Sequence, residues 1–307
     1  MSKVDLHIHS KCSDDGEFSA KEIITMCQLS GMKLVSITDH NSVKGVTEAL
    51  EENSSVHVIS GIELDCTYKG RDFHLLGYGF DHTRGEFSEI ERDIYHQETE
   101  AAAEKIRLFR MATGIPITTD EVITAAHGDT VTGELIAELV LSKENAPDYN
   151  VLKPYLSGGV KSDMPNVRFY WDFFSPGKPA HVPIRYISLP DAKVLIHKAN
   201  GVSVLAHPGQ NLTGNYDLLG DIIREGIDGI EVFSSYHSEE AAAYFLNIAK
   251  QNHLLATCGS DFHGKNKPNI RIGDHGALLE DEELITDVEK ILAPHQPDKD
   301  RGGGGSN

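Results

Sequence analysis

Cysteine is scarce in this sequence, and the few cysteines are scattered. Four occur among 307 residues, and none forms a C-x-x-C pair. This spacing argues against a disulfide framework and is typical of reduced thiols, so we expect a cytoplasmic protein.

Long apolar runs and a secretory leader are also missing. The longest apolar runs, such as residues 202–206, are far too short to cross a bilayer, which needs about 20 residues. The N-terminus shows no basic segment followed by an apolar stretch, which is the pattern of a signal peptide. We therefore expect neither a membrane partner nor secretion.

Basic residues are few relative to acidic ones. Lys and Arg number 28 against 47 Asp and Glu, which gives a formal net charge of −19. Long nucleic acid is not expected as a partner, because its non-specific binding needs clustered Lys and Arg. A small anionic substrate would require bound divalent cations, which reverse the local field in such an acidic chain.

Short apolar segments alternate with amphipathic segments along most of the chain. Strands are predicted near residues 4–6, 34–37, 56–60, 202–206, 229–232 and 254–257. Helical patterns are predicted between them at residues 20–29, 43–52, 189–199, 217–225 and 239–251. The alternation predicts βα units and a parallel sheet. A hairpin-like pair at residues 63–68 and 71–78 interrupts it.

The alternation breaks between residues 85 and 178, where one long helix and two shorter ones are predicted with few strands. We interpret residues 1–84 and 179–295 as an α/β barrel and residues 85–178 as a mostly helical cap inserted into it. Residues 296–307 include a Gly-rich stretch and are predicted to be a flexible tail, either native or a linker.

Metal-ligating residue types follow nearly every predicted strand, at the end where parallel α/β proteins place function. His7 and His9 alternate on the first strand and therefore project to the same face. Neutral imidazole is a common metal ligand. Their joint occurrence predicts a multinuclear metal site. The other candidates are Asp39, His40, Glu63, His207, Glu231, His237, Asp261 and His263.

Each of these residues also has an ordinary structural interpretation when taken alone. Asp39 fits a helix N-cap, and His207 before Pro208 fits a simple turn. An H-x-H pair on a strand is also common without a metal. The metal hypothesis therefore depends on the residues occurring together at one end of the sheet.

Seven segments, in order and covering residues 1 to about 280, resemble the PHP family, which is named for polymerase and histidinol phosphatase. Residues 175–182 also resemble the return into the barrel in the small-phosphatase branch. The seven segments are Asp5-Leu6-His7-Ile8-His9-Ser10, Ser13-Asp14-Asp15-Gly16, Ile37-Thr38-Asp39-His40, Gly61-Ile62-Glu63, Phe73-His74-Leu75-Leu76-Gly77, Ala206-His207-Pro208 and Gly259-Ser260-Asp261-Phe262-His263.

The resemblance implies a distorted (β/α)7 barrel that holds two or three divalent metal ions. It gives His7, His9, Glu63 and Asp261 to the first metal, Glu63, His74 and His207 to the second, and Asp15 or Asp14 with His40 and His263 to the third. Two acidic residues precede Gly16, and Asp15 is the preferred analogue. Asp39 is expected to orient an imidazole.

Mixed nitrogen and oxygen ligands suit Mn²⁺, Zn²⁺ or Fe²⁺. Two such ions can bridge a hydroxide and neutralise the charge of an in-line phosphoryl displacement, and a third can bind a phosphoryl oxygen. We therefore predict phosphoester hydrolysis by metal-activated hydroxide, with Glu63 and Asp261 as catalytic residues at the metals.

Four further residues are candidates for substrate contacts. His237 is the candidate acid for the leaving oxygen, and Arg185 and Lys178 are candidates for a second phosphate. Structural or solvated roles stay open for these three. The nucleotide-phosphatase branch often carries Arg-x-His-x-Ala in its cap, whereas residues 131–137 here read VTGELIA. Glu134 is expected to contact a substrate hydroxyl or simply to suit a helix N-terminus.

The substrate implied by the resemblance is a small phosphorylated molecule. Nucleoside bisphosphates, short oligonucleotide ends, cyclic or sugar phosphates and histidinol phosphate are within the family's range. The sequence leaves open monoester against diester cleavage, including a cyclic phosphodiesterase, and also the native metal and the oligomeric state.

Two other classes of function compete with phosphoester cleavage. A metal-dependent amide or lactone hydrolase would gain little from a third cation. A non-catalytic, metal-binding regulatory domain should lack ligands, whereas all nine implied ligand positions are filled here.

Overall fold

The computed structural model describes residues 2–127, 130–212 and 215–292. The predicted tail lies outside these residues. The strands are β1 (Val4–Ile8), β2 (Leu34–Ile37), β3 (His57–Ile59), β4 (Gly61–Tyr68), β5 (Arg71–Tyr78), β6 (Ile187–Ser188), β7 (Val202–Leu205), β8 (Gly229–Ser234) and β9 (Leu255–Gly259). The helices are α1 (Ala20–Leu29), α2 (Lys44–Glu51), α3 (Gly85–Thr113), α4 (Thr119–Ala126), α5 (Gly133–Leu141), α6 (Pro165–Phe173), α7 (Leu189–Lys198), α8 (Pro208–Asn211), α9 (Asp217–Arg224), α10 (Glu239–Gln251) and α11 (Asp281–Leu292).

Local sequence accounts for where many helices begin and end. Ser19 and Glu22 form a capping box at the start of α1, and the Ser238 hydroxyl accepts a hydrogen bond from the Ala241 amide at the start of α10. Helix α3 ends at Gly114, whose φ of 71° is left-handed and suits glycine. Within the described residues, no helix combines the length and apolar composition that a membrane crossing requires.

The strands form two sheets, and the α/β class is confirmed. One sheet has the order β1-β2-β3 and is parallel. The other has the order β6-β4-β5-β7-β8-β9, and β5 runs antiparallel to both of its neighbours. The expected parallel arrangement is therefore interrupted by one strand, because the tight turn after Tyr68 reverses the chain directly.

The two sheets meet at two seams without closing into a continuous barrel ladder. Single bridges join Ile8 to Phe262 at one seam and His40 to Glu63 at the other. At the first seam the Asp261 amide donates to the His7 carbonyl at 2.8 Å. Candidate metal ligands lie at both seams, so the ladder is interrupted where the site is built.

The β4–β5 hairpin extends beyond the carboxyl end of β7. Asp65 pairs with His74, and the Ala206 amide just after β7 donates to the His74 carbonyl at 3.1 Å. The hairpin continues for three more residues on each strand, up to the Tyr68–Arg71 pair. Arg71 therefore lies about 10 Å of strand beyond His74.

The apolar residues form two separate cores. One is built on the strands and their flanking helices. The other lies within residues 102–180, where Phe109 of α3 packs against Phe169, Phe173 and Phe174. This separation supports the division into barrel and cap, which stays a prediction.

Phe109→Ala should lower the free energy of unfolding by about 3–5 kcal/mol, because the Phe109 ring is fully buried in the second core. Met111→Ala on the same helix is the matched control, since Met111 is 71% exposed. Urea unfolding followed by circular dichroism measures both variants. Equal, small effects would contradict the description of residues 102–180 as a packed core.

Candidate metal centre

The first group of candidate ligands combines strand β1 with the turn after β9. The Nε2 atoms of His7 and His9 lie 3.1 Å apart, and each is 3.0 Å from Glu63 Oε2. Asp261 Oδ1 lies 3.3 Å from His7 Nε2 and 3.2 Å from His9 Nε2. All four side chains are buried. Four ligand atoms thus converge on one small volume, as the alternation of β1 predicts.

These separations fit a bound ion. Ligands about 2.0–2.1 Å from a tetrahedral ion are about 3.3–3.4 Å from one another, and the separations between ligand atoms in the first group run from 3.0 to 3.3 Å. Buried carboxylates also need compensating positive charge. The first group therefore has both the spacing and the charge demand of a divalent metal site.

Glu63 joins the first group to a second one through its other oxygen. Its Oε1 lies 3.0 Å from His74 Nδ1 and 3.1 Å from His207 Nε2. The latter contact crosses from β4 to the turn after β7. A carboxylate with one oxygen in each group has the form of a bridging ligand.

A third group lies at the side of the cap. Asp15 Oδ2 is 2.8 Å from His263 Nε2 and 3.9 Å from His40 Nε2, and His9 also lies within reach. Asp15 therefore lies beside His263, where the family resemblance implied Asp15 or Asp14. Asp14 lines the adjoining cavity.

Charge complementarity is strong around Glu63. Burial opposes charge on the His7 ring, but Glu63, Glu231 and Asp261 still hold the pKa of His7 well above its usual value. Conversely, the imidazoles of His7, His40 and His74 hold the pKa of Glu63 well below its usual value. In the absence of a metal, protons on imidazoles supply the positive charge that a divalent ion would otherwise supply.

Two predicted ligands have strained backbones. His207 has φ 21° and Asp261 has φ 58°, values that residues with a side chain rarely adopt. Each follows the end of a strand, β7 and β9. Such strain costs on the order of 1–3 kcal/mol and is concentrated at functional sites.

Glu231 orients two of the predicted ligands. Its Oε1 lies 2.9 Å from His7 Nδ1, and its Oε2 accepts the His207 amide at 2.7 Å. Gly259 leaves room for this packing, because a Cβ there would lie 2.1 Å from His7 Cβ. Glu231 was among the strand-end carboxylates in the sequence, but its role behind the ligands depends on the fold.

Lys267 and Tyr236 were missed by sequence reasoning. Lys267 Nζ lies 2.6 Å from Asp261 Oδ2, and the Tyr236 hydroxyl donates to the same oxygen at 2.7 Å. They hold one oxygen of Asp261 while the other points to His7 and His9. No spacing signal identifies either residue, since contact between them requires the folded loops.

Sequence reasoning also missed Asp65, although its alternation with Glu63 along a strand was a usable signal. Its Oδ1 lies 3.2 Å from His40 Nδ1 and 3.4 Å from His74 Nε2. Asp65 alternates with Glu63 on β4, as His9 alternates with His7 on β1. Asp39 differs from expectation, because its carboxylate accepts hydrogen bonds from the Ser10 amide and hydroxyl and not from an imidazole.

The candidate ligands open into a cavity of about 640 Å³. The cap contributes Thr132 and Glu134 at the start of α5 and Tyr170 and Trp171 of α6 to its wall. Desolvation and the nearby Asp15 carboxylate raise the pKa of Glu134 to about 8. Of the predicted substrate contacts, Glu134 is thus the one found in the cavity wall.

The structure does not bring Arg185, Lys178 or His237 into the wall of this cavity. Arg185 is exposed and lines a separate groove beside α3, and Lys178 is exposed. His237 Nδ1 donates to the Val232 carbonyl at 2.8 Å, and its Nε2 accepts the Gly209 amide at 3.0 Å. Both ring nitrogens of His237 therefore form hydrogen bonds with the backbone, and its role as an acid stays a prediction.

Glu231→Gln should weaken metal retention roughly tenfold to a hundredfold, because it perturbs the hydrogen bonds that orient His7 and His207. Metal content after dialysis against graded chelator measures the effect, with exposed Glu240→Gln as the control. Unchanged retention in a folded Glu231→Gln protein would contradict the orienting role.

Glu134→Gln should flatten the pH dependence of stability. The pKa of Glu134 rises from 4.5 to about 8 on folding. The folded protein therefore keeps a proton that the unfolded chain releases, and the free energy of unfolding falls as pH rises through this interval. The Glu134→Gln variant should not show this fall in the free energy of unfolding, because its side chain does not titrate.

Urea unfolding of metal-free protein at about pH 5 and about pH 8.5 tests this difference. Exposed Glu144→Gln is the control and should follow the wild type. A Glu134→Gln variant that loses as much stability as the wild type would refute the elevated pKa.

Family comparison gives one matching model. The PHP domain model matches residues 5–154. These residues include the candidate ligands from His7 to His74, whereas His207, Asp261 and His263 lie beyond the match.

Three relatives are similar over most of their length. A 5′-3′ exoribonuclease of Haemophilus influenzae is 27% identical over 85% of this chain and 90% of its own. A phosphoribosyl 1,2-cyclic phosphate 1,2-diphosphodiesterase of Eggerthella lenta is 28% identical over 85% and 94%. A 3′,5′-nucleoside bisphosphate phosphatase of Chromobacterium violaceum is 28% identical over 89% and 91%.

Two solved structures share the fold. One, from Bifidobacterium adolescentis and described as a candidate metal-dependent phosphoesterase, has a TM-score of 0.74 at 23% identity, over 94% of this chain and 96% of its own. The other is an amidohydrolase from Chromobacterium violaceum with bound sulfate and no metal. It has a TM-score of 0.72 at 25% identity, over 93% and 97%.

Proposed function

We propose that this chain is a PHP-family, metal-dependent phosphoesterase acting on a small phosphorylated molecule, which the match of the PHP domain model and the named relatives support. One observation carries the proposal. The first and second groups of candidate ligands share Glu63, the first and third share His9, and members of all three line one cavity. Such an arrangement suits several cations placed close together.

The candidate ligands fit two or three divalent ions, with Mn²⁺, Zn²⁺ or Fe²⁺ favoured by the mixed nitrogen and oxygen donors. His7, His9, Glu63 and Asp261 would hold one ion. Glu63, His74 and His207 would hold a second, and Asp15, His40 and His263 a third. When bound, such ions lower the pKa of water and neutralise charge on a phosphoryl group.

The protein's own residues would position these ligands and enclose the substrate. Glu231 fixes the His7 ring, and Lys267 with Tyr236 fixes Asp261. Tyr170 and Trp171 of the cap form part of the cavity wall. A substrate held between the cap and the ligands would be shielded from bulk water, which strengthens electrostatic contacts.

A small phosphate ester is the proposed substrate class. The three relatives are all named for phosphoester cleavage, on a nucleoside bisphosphate, a cyclic sugar phosphate or RNA. A third cation would contact a phosphoryl oxygen but would add little to attack on a neutral carbonyl, so amide or lactone hydrolysis is not favoured. The charge of −19 favours a small substrate over long RNA.

Asp261→Asn and His207→Ala should each lower phosphoester hydrolysis on the order of a hundredfold or more, because even changes behind metal ligands cost 10- to 100-fold. After loading with Mn²⁺, p-nitrophenol release is measured from p-nitrophenyl phosphate and bis-p-nitrophenyl phosphate, and phosphate release from adenosine 3′,5′-bisphosphate. Exposed Asp120→Asn on α4 is the matched control. Metal-loaded wild type that hydrolyses none of these compounds would refute the proposal.

A further inference from the structure

Three basic residues line the cavity, and they differ in their partners. Lys105 forms an ion pair with Glu98, and Lys267 forms one with Asp261. Among the described residues, Arg71 has no carboxylate within 4 Å, and its guanidinium donates a long 3.4 Å hydrogen bond to the Asn211 carbonyl. In a chain with 47 acidic and 28 basic residues, an arginine in a cavity without an ion-pair partner needs an explanation.

Arg71 is placed above the candidate ligands by the fold. It begins β5 at the tip of the hairpin, beyond the level at which His74 meets Ala206. Asn211 approaches from the other side, at the end of α8, four residues after His207. The hairpin that carries His74 and the segment that follows His207 thus bring Arg71 and Asn211 together at the cavity wall.

Asn211 adds a second unsatisfied donor. Its Nδ2 is buried without a hydrogen-bond partner, although the side chain lies at the cavity. A buried donor without a partner costs about 1–3 kcal/mol. An acceptor entering the cavity beside Arg71 would satisfy this donor.

Carboxyl groups are common in the rest of the lining. Asp14, Asp65, Asp72, Glu98 and Glu134 all line the cavity. Glu98 is paired with Lys105, and desolvation raises the pKa of Glu134 to about 8. Arg71 is the lining cation that has no carboxylate partner among the described residues, so a second anionic group of a substrate is attracted to Arg71.

We propose that Arg71, assisted by Asn211, binds a second phosphate of the substrate, one that does not react. This inference rests on the proposed function and names the substrate class as molecules with two phosphate groups. The guanidinium presents a planar fork of donors that matches two phosphate oxygens, and the Asn211 amide supplies a further donor. The assignment replaces Arg185 and Lys178, which lie outside the cavity wall.

The test compares substrates that differ only in the second phosphate. Adenosine 3′,5′-bisphosphate is compared with adenosine 3′-monophosphate and 5′-monophosphate, using the Mn²⁺-loaded protein. Arg71→Ala should lower kcat/KM for the bisphosphate by roughly tenfold to a hundredfold, mostly through KM. The change for the better monophosphate should stay within about threefold.

Further variants separate the contact from loss of folding. Arg71→Lys keeps the charge but not the fork, so its loss should be intermediate. Asn211→Leu should also raise KM for the bisphosphate only. Exposed Arg107→Ala on α3 is the matched control, and thermal unfolding of each variant reports on folding.

Three results would overturn the inference. A wild type that cleaves p-nitrophenyl phosphate but does not prefer the bisphosphate has no site for a second phosphate. An equal loss on the monophosphates in Arg71→Ala would mean that Arg71 acts on the reacting group. A selective loss in Arg185→Ala and not in Arg71→Ala would return the role to Arg185. Failure on every phosphate, by contrast, overturns the proposed function itself.

Discussion

The arrangement of this protein depends on burying the Glu63 carboxylate among imidazoles. Its two oxygens contact His7, His9, His74 and His207 at 3.0–3.1 Å, and these residues come from three separate strand regions. Burial of so many ionisable groups is unfavourable unless their charges compensate one another. The seams between the two sheets therefore have to come together accurately, and the strained φ angles of His207 and Asp261 are maintained by that same requirement.

Much of the fold was readable from the sequence because it rests on local signals. Helices α1 and α10 have the predicted bounds, since a serine cap begins each and an amphipathic pattern continues it. The reversed strand β5 was visible as a hairpin-like pair. The open seams were not predictable, because a bridge such as that between His40 and Glu63 depends on the positions of strands far apart in the chain.

The residues of the candidate site were likewise predictable where a local signal exists and unpredictable where a contact joins distant parts of the chain. Strand ends and i, i+2 alternation identify His7, His9 and Glu63, and the same alternation would have identified Asp65. Lys267 and Tyr236 contact Asp261 only when the loops that carry them are folded, and no sequence pattern identifies either residue. Arg185 and Lys178 lie outside the cavity wall. The sequence places both residues near the return into the barrel, but it carries no signal for the direction in which their side chains point.

An acidic protein that binds phosphate must keep its own carboxylates away from the phosphate or neutralise them. The candidate ligands do this with imidazoles and, on our proposal, with divalent ions. Asp261 is also neutralised by Lys267, and Glu98 by Lys105. Arg71 is left without such a partner among the described residues that line the cavity. An unpaired cation in an otherwise acidic cavity gives a second negative group on a substrate one place to bind, and this can select a doubly phosphorylated substrate over a monophosphate.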